Sequence, residues 1–538
     1  MMHFSNPLIP SVLALVSSSV AQTVQVTNGT IQGGKCARSD SNYFLSIPYA
    51  QPPVGDLRLK APQSLASAYD GTLNATAEAP SCLQFNDLFA ESNTQSEDCL
   101  YLNVWAPSTA TPESKLPVKV WIYGGANQAG GISDPTYDGC YATTDSIIVS
   151  INYRVGPLGF LALSSLGLSG NYGLQDQLLG LQWVQDNIAA FGGDTSKVLL
   201  FGQSAGAIDA YTLTTLPQAP QLFSAAALES GGGRDPPTVQ KAQRWHQHFI
   251  DALNCSSTDL TCVLTASGSD IVTANAAMPA EPAPGATTPF NNDGARATWG
   301  PLVDGEVVPV APTTAGNKVP AIFGSNAAEG TLFVFGAYLE ASFALNQTVY
   351  NEFLAYNFGP LASKVNQTYS VDKFNSSSYP YFAAISTILG DVSYKCPAYR
   401  GLVKSQQLGI PAWTYEFSHS PSCAWYSAIP DEILKYVGAT HTAEIPFVFN
   451  MTHNMPPPDG NCTFTTKEQA LSASMSQAWT NMALLGNPGD DTVWPQWSTN
   501  SSAGVNIDDS MVAGTVDYTS CLFWDAIYEE SLEIVGSC

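Results

Sequence analysis

The most constraining feature of this chain is a short block, Val198-Leu199-Leu200-Phe201-Gly202-Gln203-Ser204-Ala205-Gly206. A strand-like apolar run passes through Gly-x-Ser-x-Gly directly into a stretch with helical character. Glycines two residues either side of the serine suit a tight strand-to-helix turn that lifts the hydroxyl above a sheet edge. The helix that follows brings free N–H groups and a positive dipole end to the same place. Ser204 is therefore the candidate nucleophile. Alone, Gly-x-Ser-x-Gly also describes an ordinary glycine-rich turn; the flanking strand and helix favour the catalytic reading.

The neighbouring chain predicts the architecture. Leu116 to Tyr123, Ser146 to Asn152 and Lys197 to Phe201 read as strands, and Gln177 to Ala190 carries helical apolar spacing at Leu178, Leu181, Val184 and Ile188. Strand and helix in alternation, with nearly continuous apolar strands, predict an α/β fold: a large, mostly parallel central sheet flanked by helices. Strand-like runs resume at Ala321-Ile322-Phe323 and at Ala412 to Phe417, beyond a Pro-, Ala- and Asn-rich stretch from Ala274 to Asn292 that reads as a surface excursion. Functional candidates fall on both sides of it, so residues 22–538 are expected to form a single domain with insertions. No fixed-period repeat is visible.

Trp121-Ile122-Tyr123-Gly124-Gly125-Ala126 ends one of these strands in small residues. By itself this is a turn. Upstream of a nucleophilic serine it suits an oxyanion hole, whose backbone N–H groups must approach a carbonyl oxygen closely.

Composition narrows the partners. With 20 Lys+Arg against 45 Asp+Glu among 538 residues, the formal charge is −25. That disfavours nucleic acid and anionic membrane surfaces, both of which select basic patches. Residues 1–21 lack Lys, Arg, Asp and Glu, and an apolar run ends in Ser19-Val20-Ala21, the pattern of a cleaved signal peptide. Sequons at Asn28, Asn74, Asn254, Asn346, Asn366, Asn375, Asn450, Asn461 and Asn500 and a total of 11 cysteines agree with the secretory route. A secreted, extracellular protein without stable membrane association is expected. The odd cysteine count leaves one thiol over, or paired between chains.

Six histidines are present. His3 lies in the leader. His246 and His248 fall in a polar helix-like stretch and are expected to be solvated. His441, flanked by small residues and followed by an apolar run, suits a side chain presented from a loop. On the residues alone His419 and His453 remain alternatives for a catalytic base. Glu329 by itself is an acid in a Glu-Gly turn, and Glu444 is a rival carboxylate that follows His441 in sequence. No Cys/His cluster has metal-ligand spacing, so neither metal nor organic cofactor is called for.

Further motifs carry a resemblance. Ser46-Ile47-Pro48-Tyr49-Ala50 with Pro52-Pro53-Val54-Gly55 and Arg58, Ser96-Glu97-Asp98-Cys99-Leu100-Tyr101-Leu102-Asn103-Val104, Asn152-Tyr153-Arg154-Val155-Gly156, and Asn171 to Gly193 with Asp176-Gln177 resemble the signatures of the type-B carboxylesterase/lipase family, across nearly all of the mature chain. The resemblance implies an α/β-hydrolase fold and a triad of Ser204, Glu329 and His441, in the chain order that fold imposes. It implies oxyanion donors at the N–H groups of Gly125, Ala126 and Ala205. Alanine stands at 126 where the family usually has glycine, and its methyl narrows the approach. The resemblance also implies disulfides Cys82–Cys99 and Cys255–Cys262, and buried ion pairs Arg58–Glu97 and Arg154–Asp176. Cys36, Cys140, Cys396, Cys423, Cys462, Cys521 and Cys538 are left unassigned.

The implied activity is hydrolysis of a small carboxylic ester through an acyl-enzyme. The Cys82–Cys99 loop is short where lipase relatives carry a lid, and it lacks the tryptophan with which cholinesterases stack choline; Phe85 and Phe89 offer an aromatic wall instead. Gln203 stands where a glutamate is common, which removes a negative charge and disfavours a cationic substrate. Ala295 and Ala297, in the segment aligned with the acyl pocket, suggest room for a bulky acyl group. The expected substrates are soluble short-to-medium or bulky-acyl esters. Alternatives are a lipase on longer glycerides, a specialised secondary-metabolite esterase or acyltransferase, and a non-catalytic adhesion module.

Overall fold

A computed structural model describes residues 22–85, 90, 93–278 and 299–536. The expected leader, Phe89, Ala295, Ala297 and Cys538 lie outside the described residues.

An 11-stranded sheet forms the centre. In chain order its strands are β1 (Gly34–Lys35), β2 (Ser41–Pro48), β3 (Tyr101–Pro107), β4 (Leu116–Ile122), β5 (Ile147–Ile151), β6 (Gly193–Gln203), β7 (Ala225–Glu229), β8 (Ala321–Asn326), β9 (Ala412–Phe417), β10 (Ala503–Ile507) and β11 (Met511–Thr515). They lie side by side as β11-β10-β9-β8-β7-β6-β4-β5-β3-β2-β1. From β10 to β5 every neighbour is parallel; antiparallel pairs finish both edges. The interior strands are mostly apolar and mostly buried, and β5 (IIVSI) and β7 (AAALE) are buried from end to end. Sheets covered by helices on both faces demand this continuous burial instead of alternation.

The strand order fixes where a site can form. β5 lies on one side of β4 and β6 on the other, so the direction of winding reverses at β4. Loops leaving the carboxyl ends of strands on either side of such a point diverge and open a crevice. The turns after β4, β6, β7, β8 and β9 all emerge on that edge.

Two elements outrun their sequence signals. Helix α1 spans Tyr172–Asn187, beginning before the periodic stretch. Its N-cap Asn171 is left-handed (φ 58°) and is pinned by bonds from Nδ2 to the Leu302 carbonyl and to Asp304. Strand β6 runs from Gly193, well before Lys197, because Gly193 already pairs with Leu116 of β4. Helix α2 (Ala205–Thr215) follows β6 after the single residue Ser204.

One expectation is corrected. His246 is fully buried, not solvated. Helix α3 (Val239–Ala252) is amphipathic, and Ala242, His246, Phe249 and Ile250 share its inward face. The His246 ring stacks on Trp299 (centroids 4.6 Å apart) and its Nδ1 accepts from the Ala162 N–H at 3.0 Å.

Ten cysteines are paired: Cys36–Cys140, Cys82–Cys99, Cys255–Cys262, Cys396–Cys521 and Cys423–Cys462. Arg154 and Asp176 form a buried bidentate pair at 2.7 and 2.8 Å, and Arg58 grips Glu97 through Nε (2.7 Å) and Nη2. Among the described residues no helix is long and apolar enough to cross a membrane.

Candidate active site

Ser204 sits at the junction of β6 and α2 with φ 57° and ψ −126°, a conformation that L-residues rarely adopt. The flanking glycines explain how the turn closes. A Cβ on Gly206 would stand 2.1 Å from the Ile122 carbonyl oxygen, and one on Gly202 2.7 Å from the oxygens of Ile122 and Gly206. The elbow is therefore pressed against the end of β4. The Ser204 N–H is tied to the Glu229 carbonyl at the end of β7 (2.9 Å). Ser204 is half-buried within otherwise buried chain.

The turn after β4 lies against this elbow. A Cβ on Gly124 would be 3.0 Å from the Ser204 Cβ and 2.7 Å from the Gln203 carbonyl oxygen. Gly125 (φ 105°), Ala126 (φ 58°) and Asn127 (φ 54°) are successive left-handed residues, and the Gly125 carbonyl closes the turn by accepting from Gln128 (3.0 Å) and Ala129 (3.1 Å). Among the described residues none accepts from the Gly125 or Ala126 N–H. Ala205, the first residue of α2, has an N–H without an intrahelical acceptor. The fold thus brings the turn that carries Gly125 and Ala126 against the Ser204 elbow, with Ala205 next in the chain.

Glu329 follows β8 and is buried; its Oε1 accepts from the Asn326 N–H (2.8 Å) and its Oε2 meets His441 Nδ1 at 2.7 Å. His441 is equally buried, with Tyr394 and Phe333 rings 4.5 and 5.0 Å from its own. The Gln203 amide, one residue before Ser204, stands 3.3 Å from His441 Nε2 and 3.4 Å from Nδ1. Of the three histidines left open on the residues alone, His441 adjoins the elbow, whereas His419 pairs with Glu468 at 3.2 Å and His453 with Thr452 at 2.8 Å. The rival Glu444 also comes close, but it accepts from Asn326 Nδ2 rather than from the histidine.

Sequence reasoning named Glu444 only as a rival acid and missed the burial of the acids around this site. Burial, reinforced by nearby Glu329, pushes Glu444 up to about 8. Burial and then Glu444 push Glu229 well above the carboxylate range, against a hydrogen bond from Trp479 (2.7 Å). In both acids burial favours the protonated form over the charged one. Also missed was Asp209, on α2, which burial pushes up to about 7. Its signal was available: a lone acid in the otherwise uncharged helix AGAIDAYTLTT. A cavity of about 560 Å³ opens behind the acid loop, lined by Glu329, Tyr379, Ser386, Lys395 and Tyr436 among others, and reaches neither Ser204 nor His441.

A mostly parallel 11-stranded sheet with a serine elbow after β6, an acid after β8 and a histidine beyond β9 is an α/β-hydrolase. The sequence matches the carboxylesterase family over residues 20–524, and the chain belongs to that family. It is 33% identical to the cholinesterase of Mus musculus, over 92% of this chain and 84% of that protein. It is 33% identical to the para-nitrobenzyl esterase of Bacillus subtilis (strain 168), over 89% and 94%. It is also 33% identical to secreted lipase 1 of Botryotinia fuckeliana (strain B05.10), over 80% and 81%. The protein is a carboxylesterase-family hydrolase of carboxylic esters.

Proposed function

We propose that the chain is a secreted serine esterase that turns over soluble short-to-medium or bulky-acyl esters through an acyl-enzyme on Ser204. The observation that carries this reading is the Glu329–His441 bond at 2.7 Å, with His441 held beside the strained Ser204 elbow. In the first step the Ser204 Oγ attacks the ester carbonyl and His441 takes its proton. Negative charge moves onto the carbonyl oxygen, where the N–H groups of Gly125, Ala126 and Ala205 receive it; one such donor is worth about 3 kcal/mol. Glu329 holds the imidazole tautomer and stabilises the imidazolium. The C–O bond to the alcohol then breaks, and His441 returns the proton to the departing oxygen. Water, activated by the same histidine, attacks the acyl-enzyme and releases the acid. The balance needs only ester and water.

Five disulfides support an oxidising compartment, as does a relative named a secreted lipase. The short disulfide loop supports soluble esters over glyceride droplets. Its Phe85 is tied by its N–H to the Gln128 carbonyl (2.7 Å), beside the expected oxyanion turn.

The test is hydrolysis of p-nitrophenyl esters from acetate to palmitate, with Ser204→Ala as the blank. Turnover greatest on shorter chains and lost in the variant is the expected result. Activity that rises only above the solubility limit of long esters would replace it with a lipase. Serine-independent or absent turnover on every chain would sink the reading.

A further inference from the structure

The turn that carries the Ala126 N–H has an unusual backbone, with two consecutive non-glycine residues in the left-handed region. Asparagine tolerates that region better than alanine, so contacts outside the turn help to hold Ala126 there. The strongest hold falls on its neighbour. Asn127 is buried; its carbonyl accepts from the Gly156 N–H at 2.6 Å, and its Nδ2 donates to Asp209 Oδ1 at 3.0 Å. The other carboxylate oxygen of Asp209 accepts from Gln177 Nε2 at 2.6 Å.

Three features mark this contact as more than filling. First, Asn127 Oδ1 and Gln177 Oε1 are both buried without a hydrogen-bond partner. Each amide is therefore oriented by its single donation to Asp209, which organises the whole network. Second, Asp209 is fully buried and pairs with no cation among the described residues. A lone buried acid is costly, and an apolar side chain would fill the same helix position without that cost. Third, Asp209 lies on α2, the helix that begins at Ala205. One rigid element thus presents Ser204 and the Ala205 N–H at its start and, a turn further on, grips the residue beside Ala126.

Resting on the reading of Ser204 as nucleophile, we propose that Asp209 is a positioning residue of the oxyanion hole. Acting through Asn127, it fixes the Ala126 N–H in register with the Ala205 N–H, so that both meet the oxygen only as it becomes an oxyanion. Its contribution belongs to the transition state, where donor placement matters most, and not to ground-state binding.

The test compares the full chain with Asp209→Asn, Asn127→Ala and the exchanged pair Asn127→Asp/Asp209→Asn. Active sites are counted by labelling Ser204 with a fluorophosphonate, and rates are given per labelled site. Asp209→Asn is expected to lower kcat by about 10- to 100-fold, with KM within about threefold. Affinity for a trifluoromethyl ketone, which binds as a tetrahedral oxyanion, should fall by a similar factor. The exchanged pair restores a donor facing an acceptor and should recover part of both losses, which a change in stability alone would not produce. If kcat per labelled site and ketone affinity hold in Asp209→Asn, Asp209 supports only the fold and the proposal is overturned. Should Asp209→Asn fail to fold, Asn127→Ala decides by the same readouts. A wild-type chain whose Ser204 neither labels nor turns over ester would instead sink the parent reading.

Discussion

Glu329 and His441 meet at 2.7 Å across 112 residues of sequence, and both side chains are 1% exposed. The contact joins the turn after β8 to a loop beyond β9, and the two turns are stitched independently. Thr331 Oγ1 donates to the Val437 carbonyl, the Ala328 N–H to the Ala439 carbonyl and Asn326 Nδ2 to the Thr440 carbonyl. His441 is thus presented by a scaffold that does not depend on the carboxylate.

Replacing Glu329 with Gln should therefore leave the fold and spoil the chemistry. The amide cannot hold an imidazolium as a carboxylate does, and it can favour the wrong tautomer. A fall in kcat of about 10³- to 10⁴-fold is expected, with near-native thermal unfolding. Retention of more than about a tenth of wild-type kcat would remove Glu329 from the proposed role.

Glu444 offers a pH test. Its carboxyl is about 8 in the fold, against an ordinary value of 4.5, because it is buried and beside Glu329. The folded state thus binds the proton more tightly than the unfolded chain. The stability this group confers is fully present below about pH 4.5 and is lost as pH rises through about 8. The slope from one such group reaches at most ~1.4 kcal/mol per pH unit. Glu444→Gln cannot titrate, so its unfolding temperature should decline less between pH 5 and 8 than the parent's. Parallel curves for the two proteins would contradict the assignment.

The Arg154–Asp176 pair tests the floor beneath the site. Both members are almost wholly buried, and Arg154 also donates from Nη2 to the Lys60 carbonyl at 2.8 Å. Arg154→Met leaves an uncompensated buried acid and should destabilise by about 3–5 kcal/mol in chemical denaturation. The double variant Arg154→Met/Asp176→Leu should recover much of that loss, because no charge then remains stranded. A double variant as weak as the single one would show that packing, not charge, dominates there.

What the sequence disclosed follows from where the physics is local. The elbow was legible because its glycines answer to a close approach within a few residues, and the parallel strands because burial on both faces writes unbroken apolar runs. The buried face of α3 was obscured: His246 looked solvated beside Arg244 and Gln247, and the Trp299 ring that covers it is 53 positions away. That Glu229 and Glu444 are buried stayed hidden for a related reason. A buried acid is spelled like any surface carboxylate, and the partners of these two, Trp479 and Asn326, come from distant stretches of chain. Cys36–Cys140 and Cys396–Cys521 likewise join cysteines separated by 104 and 125 residues, beyond any local signal.

Gly206 and Gly336 make a paired experiment on what the elbow requires. A methyl on Gly206 would meet the Ile122 and Tyr123 carbonyl oxygens at 2.1 and 2.5 Å, and neither backbone can yield without moving β4 against α2. That displacement would separate Ser204 from the Gly124-Gly125-Ala126 turn. Gly206→Ala should therefore cost at least about 100-fold in kcat, the scale of losing one oxyanion donor, together with a lower unfolding temperature. Gly336 is exposed within the helix Gly330–Tyr338, and a Cβ there meets nothing within 4 Å. Gly336→Ala should leave kcat unchanged and stabilise by about 0.5–1 kcal/mol, since alanine loses less backbone freedom on folding. Equal behaviour of the two variants would mean that the elbow tolerates a looser approach than the one seen here, and that strain at Ser204 is not maintained by contact with β4.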